Sequence, residues 1–319
     1  MSTASTLDDA QSAFDERQYR IANAHLVDLL ERGEVNEEVR KLQLQLMLKM
    51  GDGNRAIAAL DQLPATALGK VDRRIARAHA QILQGSSAKT VQMYESLAPE
   101  DYTAQDFRMV LWALRELNEV EDFAAGMDFA LDRFPDSPHI NALAADQLYD
   151  ADLPDEAAQY VDTALRNGPD VFEARLVAGR KAIFGGQLEE AIVQYRKAND
   201  INPVNALPLT NVAGLHLDLG QIDEAGEVLN IAVENHGNFP FLQWQLARYK
   251  LASGDVQGAR EAKDRAERNF ADNPEFMLIS AQIEEQFGNT GLALDNYRRF
   301  VRAQGEVPEI MAKIAELES

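Results

Sequence analysis

The stretch from Phe184 to Pro203, FGGQLEEAIVQYRKANDINP, decides the fold of this chain. A pair of glycines stands directly before an amphipathic run that begins with acidic residues and ends at a proline. Glycines ahead of a helix can form a phosphate-binding loop, because the free amide groups and the helix dipole attract anions. They can equally form the turn between two helices, where a left-handed backbone is needed. The rest of the sequence decides between these two interpretations.

A period of 34 residues runs through the chain on both sides of this stretch. Such a period is typical of stacked helical repeats. The glycine column consists of Gly51, Gly85, Gly186, Gly220, Gly254 and Gly288, and the alanine column five residues later consists of Ala157, Ala191, Ala225, Ala259 and Ala293. A ladder of glycines in register favours structural turns over a series of identical phosphate sites.

The repeat at residues 172–205 shows how the period translates into structure. Its segments EARLVAGRKAIF and LEEAIVQYRKANDI carry apolar or small residues at three- and four-residue spacing, which predicts two amphipathic helices. Gly186 supplies the turn between them, and the small residues Gly179 and Ala191 allow the two backbones to cross closely. Pro203 cannot continue the second helix and therefore ends the repeat.

The order of small residue, glycine, alanine, aromatic residue, alanine and proline resembles the tetratricopeptide repeat. In residues 172–205 the matching positions are Gly179, Gly186, Ala191, Tyr195, Ala198 and Pro203. The resemblance covers nearly the whole chain and implies an all-α fold. The expected architecture is a right-handed α-solenoid of about nine 34-residue helix-turn-helix repeats, closed by a C-terminal capping helix.

Counting outward at this period gives the expected domain organisation, a solenoid over residues 1–307 and a capping helix over 308–319. The repeats are expected at about 3–36, 37–70, 71–104, 105–137, 138–171, 172–205, 206–239, 240–273 and 274–307. The repeat at 105–137 is one residue short, lacks the turn glycine and has Phe123 and Ala124 competing for the alanine column. We therefore expect a seam near 105–138, where residues 101–150 also hold 11 acidic but only 3 basic residues.

Composition excludes several function classes. The 31 basic and 52 acidic residues give a net charge of −21, which repels nucleic acids and anionic membranes and favours a basic or neutral partner. There is no cysteine, no nucleotide-binding glycine motif, no nucleophile elbow and no HExxH, and the five histidines are scattered. We expect no enzyme activity, catalytic residue, cofactor or metal. No run of 18 uncharged apolar residues predicts a transmembrane segment.

The resemblance also implies where a partner binds, because tetratricopeptide solenoids bind peptides or protein segments in a concave groove lined by the first helix of each pair. Arginine and tryptophan are enriched at binding hot spots. Projected onto this sequence, the expected groove residues are Arg180, Asn211, Trp244, Arg248 and Gln282. Alternatively, Trp244 packs between helices and the arginines pair with neighbouring carboxylates.

The alignment of the repeats leads to two further expectations about side chains. Gly214 lies between the two arginines of the expected groove and removes a side chain there, so it should deepen the groove. Lys263 takes a column filled elsewhere by Tyr94, Tyr195, Leu229 and Tyr297. Its aliphatic stem is expected to pack while its ammonium reaches solvent.

These observations favour a non-catalytic scaffold that binds a protein or peptide. The opening LDDAQSAFDERQYRIANAHLVDLLERGE resembles mature lipoproteins of bacterial envelope systems for exopolysaccharide export or pilus assembly. The alternatives are a regulatory sensor of a ligand or peptide and an RNA-binding helical repeat, the latter disfavoured by the charge. The compartment stays open: cytoplasmic, or periplasmic as a lipoprotein if an upstream signal has been removed.

Overall fold

The structure, a computed structural model, describes residues 5–318, apart from the side chain of Asn235. The expected start of the first repeat, at residue 3, and the last residue of the expected capping helix, at 319, lie outside the described residues.

Within residues 5–318 all of the regular structure is helical, which confirms the expected all-α solenoid class. A 3-10 turn at Pro99–Asp101 stands between α6 and α7. The helices are α1 Leu7–Asp15, α2 Tyr19–Glu31, α3 Glu37–Lys49, α4 Gly53–Gln62, α5 Lys70–Leu83, α6 Ser87–Glu95, α7 Ala104–Glu116, α8 Val120–Arg133, α9 Pro138–Asp150, α10 Pro154–Asn167, α11 Phe172–Phe184, α12 Leu188–Ile201, α13 Ala206–Asp218, α14 Ile222–His236, α15 Pro240–Ala252, α16 Val256–Phe270, α17 Pro274–Gln286, α18 Thr290–Gln304 and α19 Pro308–Glu318.

The chain divides into two compact bodies. The N-terminal body comprises Met1–Gly186 and Lys197–Asn205, and the C-terminal body comprises Gln187–Arg196 and Ala206–Ser319. The division falls within α12, so the region near 105–138 lies inside the N-terminal body.

Both bodies are built in the same way. Within each body, odd-numbered helices pack against the even-numbered helices that follow them, for example α9 against α10 and α15 against α16. Successive odd-numbered helices also pack side by side, as α5, α7 and α9 do in the N-terminal body and α13, α15 and α17 in the C-terminal body. The apolar core therefore lies between neighbouring pairs, as expected for stacked repeats.

A residue with a left-handed backbone stands at the turn of every helix pair. Six of these residues are the glycines of the column, with φ between 70° and 83°. The other three are not glycine: Arg17 has φ of 62°, Asn118 of 58° and Asp152 of 57°. Asn and Asp tolerate this conformation better than most residues, because their short side chains can bond the local backbone. Asn118 makes the turn in the short repeat.

The alanine column lies where the two helices of a pair come closest. Ala157, Ala191, Ala225, Ala259 and Ala293 are all 0% exposed. Phe123 takes the same position five residues after Asn118, and its ring is also buried. A phenyl ring needs more room than a methyl group, and α7 and α8 pack less extensively than α9 and α10.

The expectation that the Lys263 ammonium reaches solvent is wrong. Lys263 is buried, and its Nζ lies 3.2 Å from Oε1 of Glu284, which is 1% exposed. Glu284 also accepts a hydrogen bond from the Asn289 amide and pairs with Arg260. A buried carboxylate needs such partners, and it holds the ammonium inside the body.

Replacing Gly220 by alanine should destabilise the protein by about 1 kcal/mol, because an L-residue is strained at a φ of 70°. No heavy atom lies within 4 Å of the added Cβ, so the cost comes from the backbone alone. Urea denaturation followed by circular dichroism measures the change.

Gly291 offers a matched control for this substitution. It lies within α18, and its added Cβ would also enter open space. Alanine is the better helix former, so Gly291→Ala should stabilise the protein by about 0.5 kcal/mol. Stabilisation by both substitutions would contradict a left-handed requirement at position 220.

Candidate functional site

The C-terminal body contains a pocket of about 630 Å³ on its odd-numbered helices. Most of its lining comes from α15, α17 and α19, and single residues of α13, α14 and α18 complete it. Polar and apolar residues both contribute. The lining residues are Leu217, Ile222, Arg248, Leu251, Ala252, Ile279, Gln282, Glu285, Gln286, Tyr297, Glu309, Ile310 and Lys313. Two of the expected groove residues, Arg248 and Gln282, therefore share this pocket.

The guanidinium of Arg248 is held in place by two neighbours. Its Nη1 donates to Oε1 of Gln245 at 2.9 Å, and its Nη2 pairs with Asp218. Gln245 itself packs over Gly214, where an added Cβ would lie 3.1 Å from Oε1. The expectation that Gly214 deepens the groove is therefore wrong, because Gln245 fills the space. Glycine at 214 instead allows Gln245 to reach Arg248.

Gln282 differs from Arg248 in having no fixed partner. Its side chain is half-buried, and no side chain or backbone group within residues 5–318 makes a hydrogen bond to it. A side-chain amide offers two donors and an acceptor with two lone pairs. The pocket thus pairs a fixed cation with an amide that is available to a bound segment.

The terminal helix α19 is attached to this pocket by one carboxylate. Glu285 accepts a hydrogen bond from the Tyr297 hydroxyl at 2.8 Å and pairs with Nζ of Lys313 at 2.6 Å. Burial and the Glu285 carboxylate together raise the pKa of Tyr297 above its usual range. The hydrogen bond to Glu285 likewise raises the pKa of Lys313. The pocket wall is therefore a polar cluster that depends on α19.

Asn211 and Trp244 lie on α13 and α15 but do not line this pocket. Asn211 is half-buried and donates to the carbonyl of Leu207 at 2.9 Å. Trp244 is 6% exposed, with its ring 5.0 Å from that of Phe270 and 5.9 Å from that of Phe276. Its indole therefore packs in the core of the body, as the alternative interpretation described.

Arg180 belongs to the N-terminal body and is surrounded by acidic groups. It pairs with Asp146 and, at 2.9 Å, with Asp150, and its guanidinium lies over the Tyr149 ring at 5.2 Å. Arg115 shares both carboxylates. The nearby carboxylates raise the pKa of Arg180 although burial opposes this. Sequence reasoning identified Arg180 but not Arg115, since nothing in the sequence indicates a pairing across neighbouring repeats.

A second cluster in the N-terminal body went unnoticed in the sequence. Glu173 pairs with Arg108, 65 residues away, and its Oε2 lies 3.3 Å from Nδ1 of His139. Burial alone would raise the pKa of Glu173, but Arg108 and His139 hold it well below its usual range. The ring of His79 lies 5.6 Å from that of Trp112, over which Arg108 also sits. Positive groups and histidines thus surround one carboxylate.

Burial, together with the positive charges of Arg108 and Lys49, lowers the pKa of His79 from 6.5 to about 4. The unfolded chain then binds a proton more readily than the folded chain. This contribution to stability is present above pH 6.5 and is lost as the pH falls towards 4. The urea midpoint of the protein should therefore fall more steeply over this window than that of the His79→Gln variant. Parallel pH profiles would contradict the assignment.

Comparison with known proteins identifies the repeats. Residues 142–206 and 245–308 match a family model described as Tetratricopeptide repeat. These two segments are therefore similar to tetratricopeptide repeats. The two matched tetratricopeptide segments include most of α9 to α12 and most of α15 to α18. This family is typical of non-catalytic scaffolds for protein interactions.

One curated relative is Cellulose synthase operon protein C of Pseudomonas fluorescens (strain SBW25), which also fits the resemblance to bacterial envelope proteins. It is 25% identical over 260 residues, which are 77% of this chain and 18% of that protein. The chain thus spans about a fifth of the length of this relative.

Three solved structures have a fold similar to that of this chain. The Cut9–Hcn1 hetero-tetramer of the APC/C has a TM-score of 0.72 at 16% identity and covers 97% of this chain and 63% of that chain. The structure of Pseudomonas aeruginosa pilF has a TM-score of 0.53 at 16% identity. The match covers 67% of this chain and 97% of that chain. The structure of the human IFIT1 dimer with PPP-AAAA has a TM-score of 0.60 at 16% identity. The match covers 97% of this chain and 79% of that chain. At these identities the likeness concerns the fold alone.

Over residues 5–318, no helix combines the length and the apolar character needed to cross a membrane. The same part of the chain holds no group of three or more histidine, aspartate or glutamate side chains placed to bind a metal ion.

Proposed function

We propose that this protein is a non-catalytic scaffold whose C-terminal body binds a segment of a partner protein in the pocket between α13, α15, α17 and α19. The observation that carries the proposal is the pairing of Arg248 with Gln282 in one pocket. Arg248 is fixed by Asp218 and Gln245, whereas Gln282 keeps its amide available. A preorganised cation reduces the entropy lost on binding.

The chemistry of the lining fits a peptide segment. Gln282 and the exposed Gln286 can each donate to and accept from a peptide backbone. Leu251, Ile279 and Ile310 supply apolar surface for a side chain of the partner. A few polar groups set into an apolar lining are typical of pockets that fix the orientation of what they bind.

The charges favour a basic or neutral protein segment over a nucleic acid. Arg248 and Lys313 are already paired with carboxylates, and the lining also contains Glu309, which is exposed. The whole chain carries −21. Phosphate backbones need unpaired cations, so RNA is the disfavoured partner. Among the other expected residues, we assign Trp244 to packing and propose Arg180 as a separate contact in the N-terminal body.

Photo-crosslinking in cells tests the pocket directly. A photoreactive residue at position 286, at the exposed edge of the pocket, should give a discrete adduct with one partner protein. The same residue at Gln257, which is exposed on α16 and does not line the pocket, should not give this adduct. Arg248→Glu should reduce the adduct at least tenfold, because the new carboxylate repels Asp218 and the guanidinium donors of the pocket are lost. Addition of Arg180→Glu should abolish it.

The milder Gln282→Ala variant keeps the test valid if Arg248→Glu disturbs the fold, which circular dichroism checks. It should weaken the adduct without changing the spectrum. An equal adduct at 257, or full capture by both folded variants, would contradict the proposal. So would saturable binding of mixed RNA in a filter assay at low salt.

A narrower proposal concerns the pathway. The curated relative is named after a cellulose synthase operon, and the opening of this chain resembles bacterial envelope lipoproteins. We propose that the scaffold serves machinery that makes or exports a polysaccharide. Deletion of the gene should lower extracellular polysaccharide, and the intact gene, but not the Arg248→Glu form, should restore it. Unchanged polysaccharide in the deletion strain would contradict this assignment.

A further inference from the structure

The short repeat of the N-terminal body contains a second pocket, separate from the one described above. It has a volume of about 550 Å³ and lies between the α7–α8 pair and the α9–α10 pair. Its walls are mostly apolar. They include Leu114, Phe123, Met127, Leu131, Leu148 and Tyr160.

The pocket has an identifiable cause in the sequence. Phe123 stands in the column that Ala157, Ala191, Ala225, Ala259 and Ala293 fill in other repeats, where each alanine is fully buried. Its ring takes more room than those methyl groups, and α8 packs less extensively on α7 than α10 packs on α9. Ala124, which follows it, is exposed and leaves the entrance open.

The entrance is both apolar and acidic. Val120 lines it and is 65% exposed. The only cation of the lining, Arg115, is neutralised by Asp146 and Asp150. The carboxylates of Glu119 and Asp128 are exposed, and neither forms an ion pair with any group in residues 5–318. The rim therefore presents unpaired negative charge around an apolar space.

We propose that this pocket is a docking site for a second protein segment, one that inserts a large apolar side chain and flanks it with lysine or arginine. The apolar walls accept the side chain, and the carboxylates of Glu119 and Asp128 attract the flanking cations. Burial of a large apolar side chain supplies the main driving force, and the charges select the partner. The scaffold then has two sites of different chemistry, one in each body.

Binding of synthetic peptides to the full chain tests this site. The probe is a fluorescent 16-residue peptide of leucines and lysines, measured by anisotropy at physiological salt. Two control peptides carry glutamate in place of lysine, or serine in place of leucine. The leucine–lysine peptide should bind at least tenfold more tightly than either control, because both the apolar and the basic character are needed.

Three variants locate the binding. Ala124→Trp should fill the entrance and weaken the leucine–lysine peptide at least tenfold without changing any charge. Glu119→Lys with Asp128→Lys should have a similar effect. The matched control is Asp132→Lys with Asp170→Lys, which changes the net charge equally at exposed positions outside the lining and should leave binding within twofold.

Other outcomes would overturn the proposal. If both double variants lost peptide affinity equally, the leucine–lysine peptide would be attracted nonspecifically to an acidic protein. Full binding by folded Ala124→Trp would place the peptide elsewhere. Tight binding of a neutral apolar dye that the leucine–lysine peptide fails to displace would make the pocket a small-molecule site.

Discussion

The close crossing of two helices within each pair is the constraint on which the rest of the structure depends. It needs a left-handed residue at the turn and a small residue five positions later. Where both are present, as at Gly220 and Ala225, the pair closes and offers its apolar faces to the neighbouring pairs. A single repeat cannot bury these faces alone, so the stacking of repeats follows from the geometry of the pair.

Both proposed sites can be understood from this constraint. In the C-terminal body, regular pairs place α13, α15 and α17 side by side, so that Arg248 and Gln282 meet in one pocket. In the short repeat, Phe123 takes the place of the small residue, and a largely apolar space lies beside it. Regular packing thus produces one kind of site and a local departure from it produces another. A stack of similar repeats can in this way carry different binding chemistry along its length.

The fold was predictable from the sequence because its determinants are local. Glycine and alanine columns act within one turn or one helix crossing, so their spacing alone indicates the architecture. Even Asp152, where a glycine is missing, adopts the left-handed turn. The short repeat and its acidic surroundings were also recognisable, although the pocket itself was not.

Side-chain partners were much less predictable, because they depend on residues one or two repeats away. The buried partner of Lys263, Glu284, lies 21 residues further on, and Gln245 covers Gly214 from the next odd-numbered helix. Tryptophan is common at binding hot spots, but the Trp244 ring packs against phenylalanines from α16 and α17. Ion pairs such as Arg108–Glu173 join residues 65 positions apart, so they do not appear as a periodic pattern in the sequence.

We propose that the partner segment binds mainly on the odd-numbered helices of the C-terminal body. Amide hydrogen exchange of the chain, alone and crosslinked to its partner, tests this proposal. Binding should slow exchange in α15, α17 and α19, with little change in α16, which contributes no residue to the pocket lining. Protection confined to the even-numbered helices would contradict it.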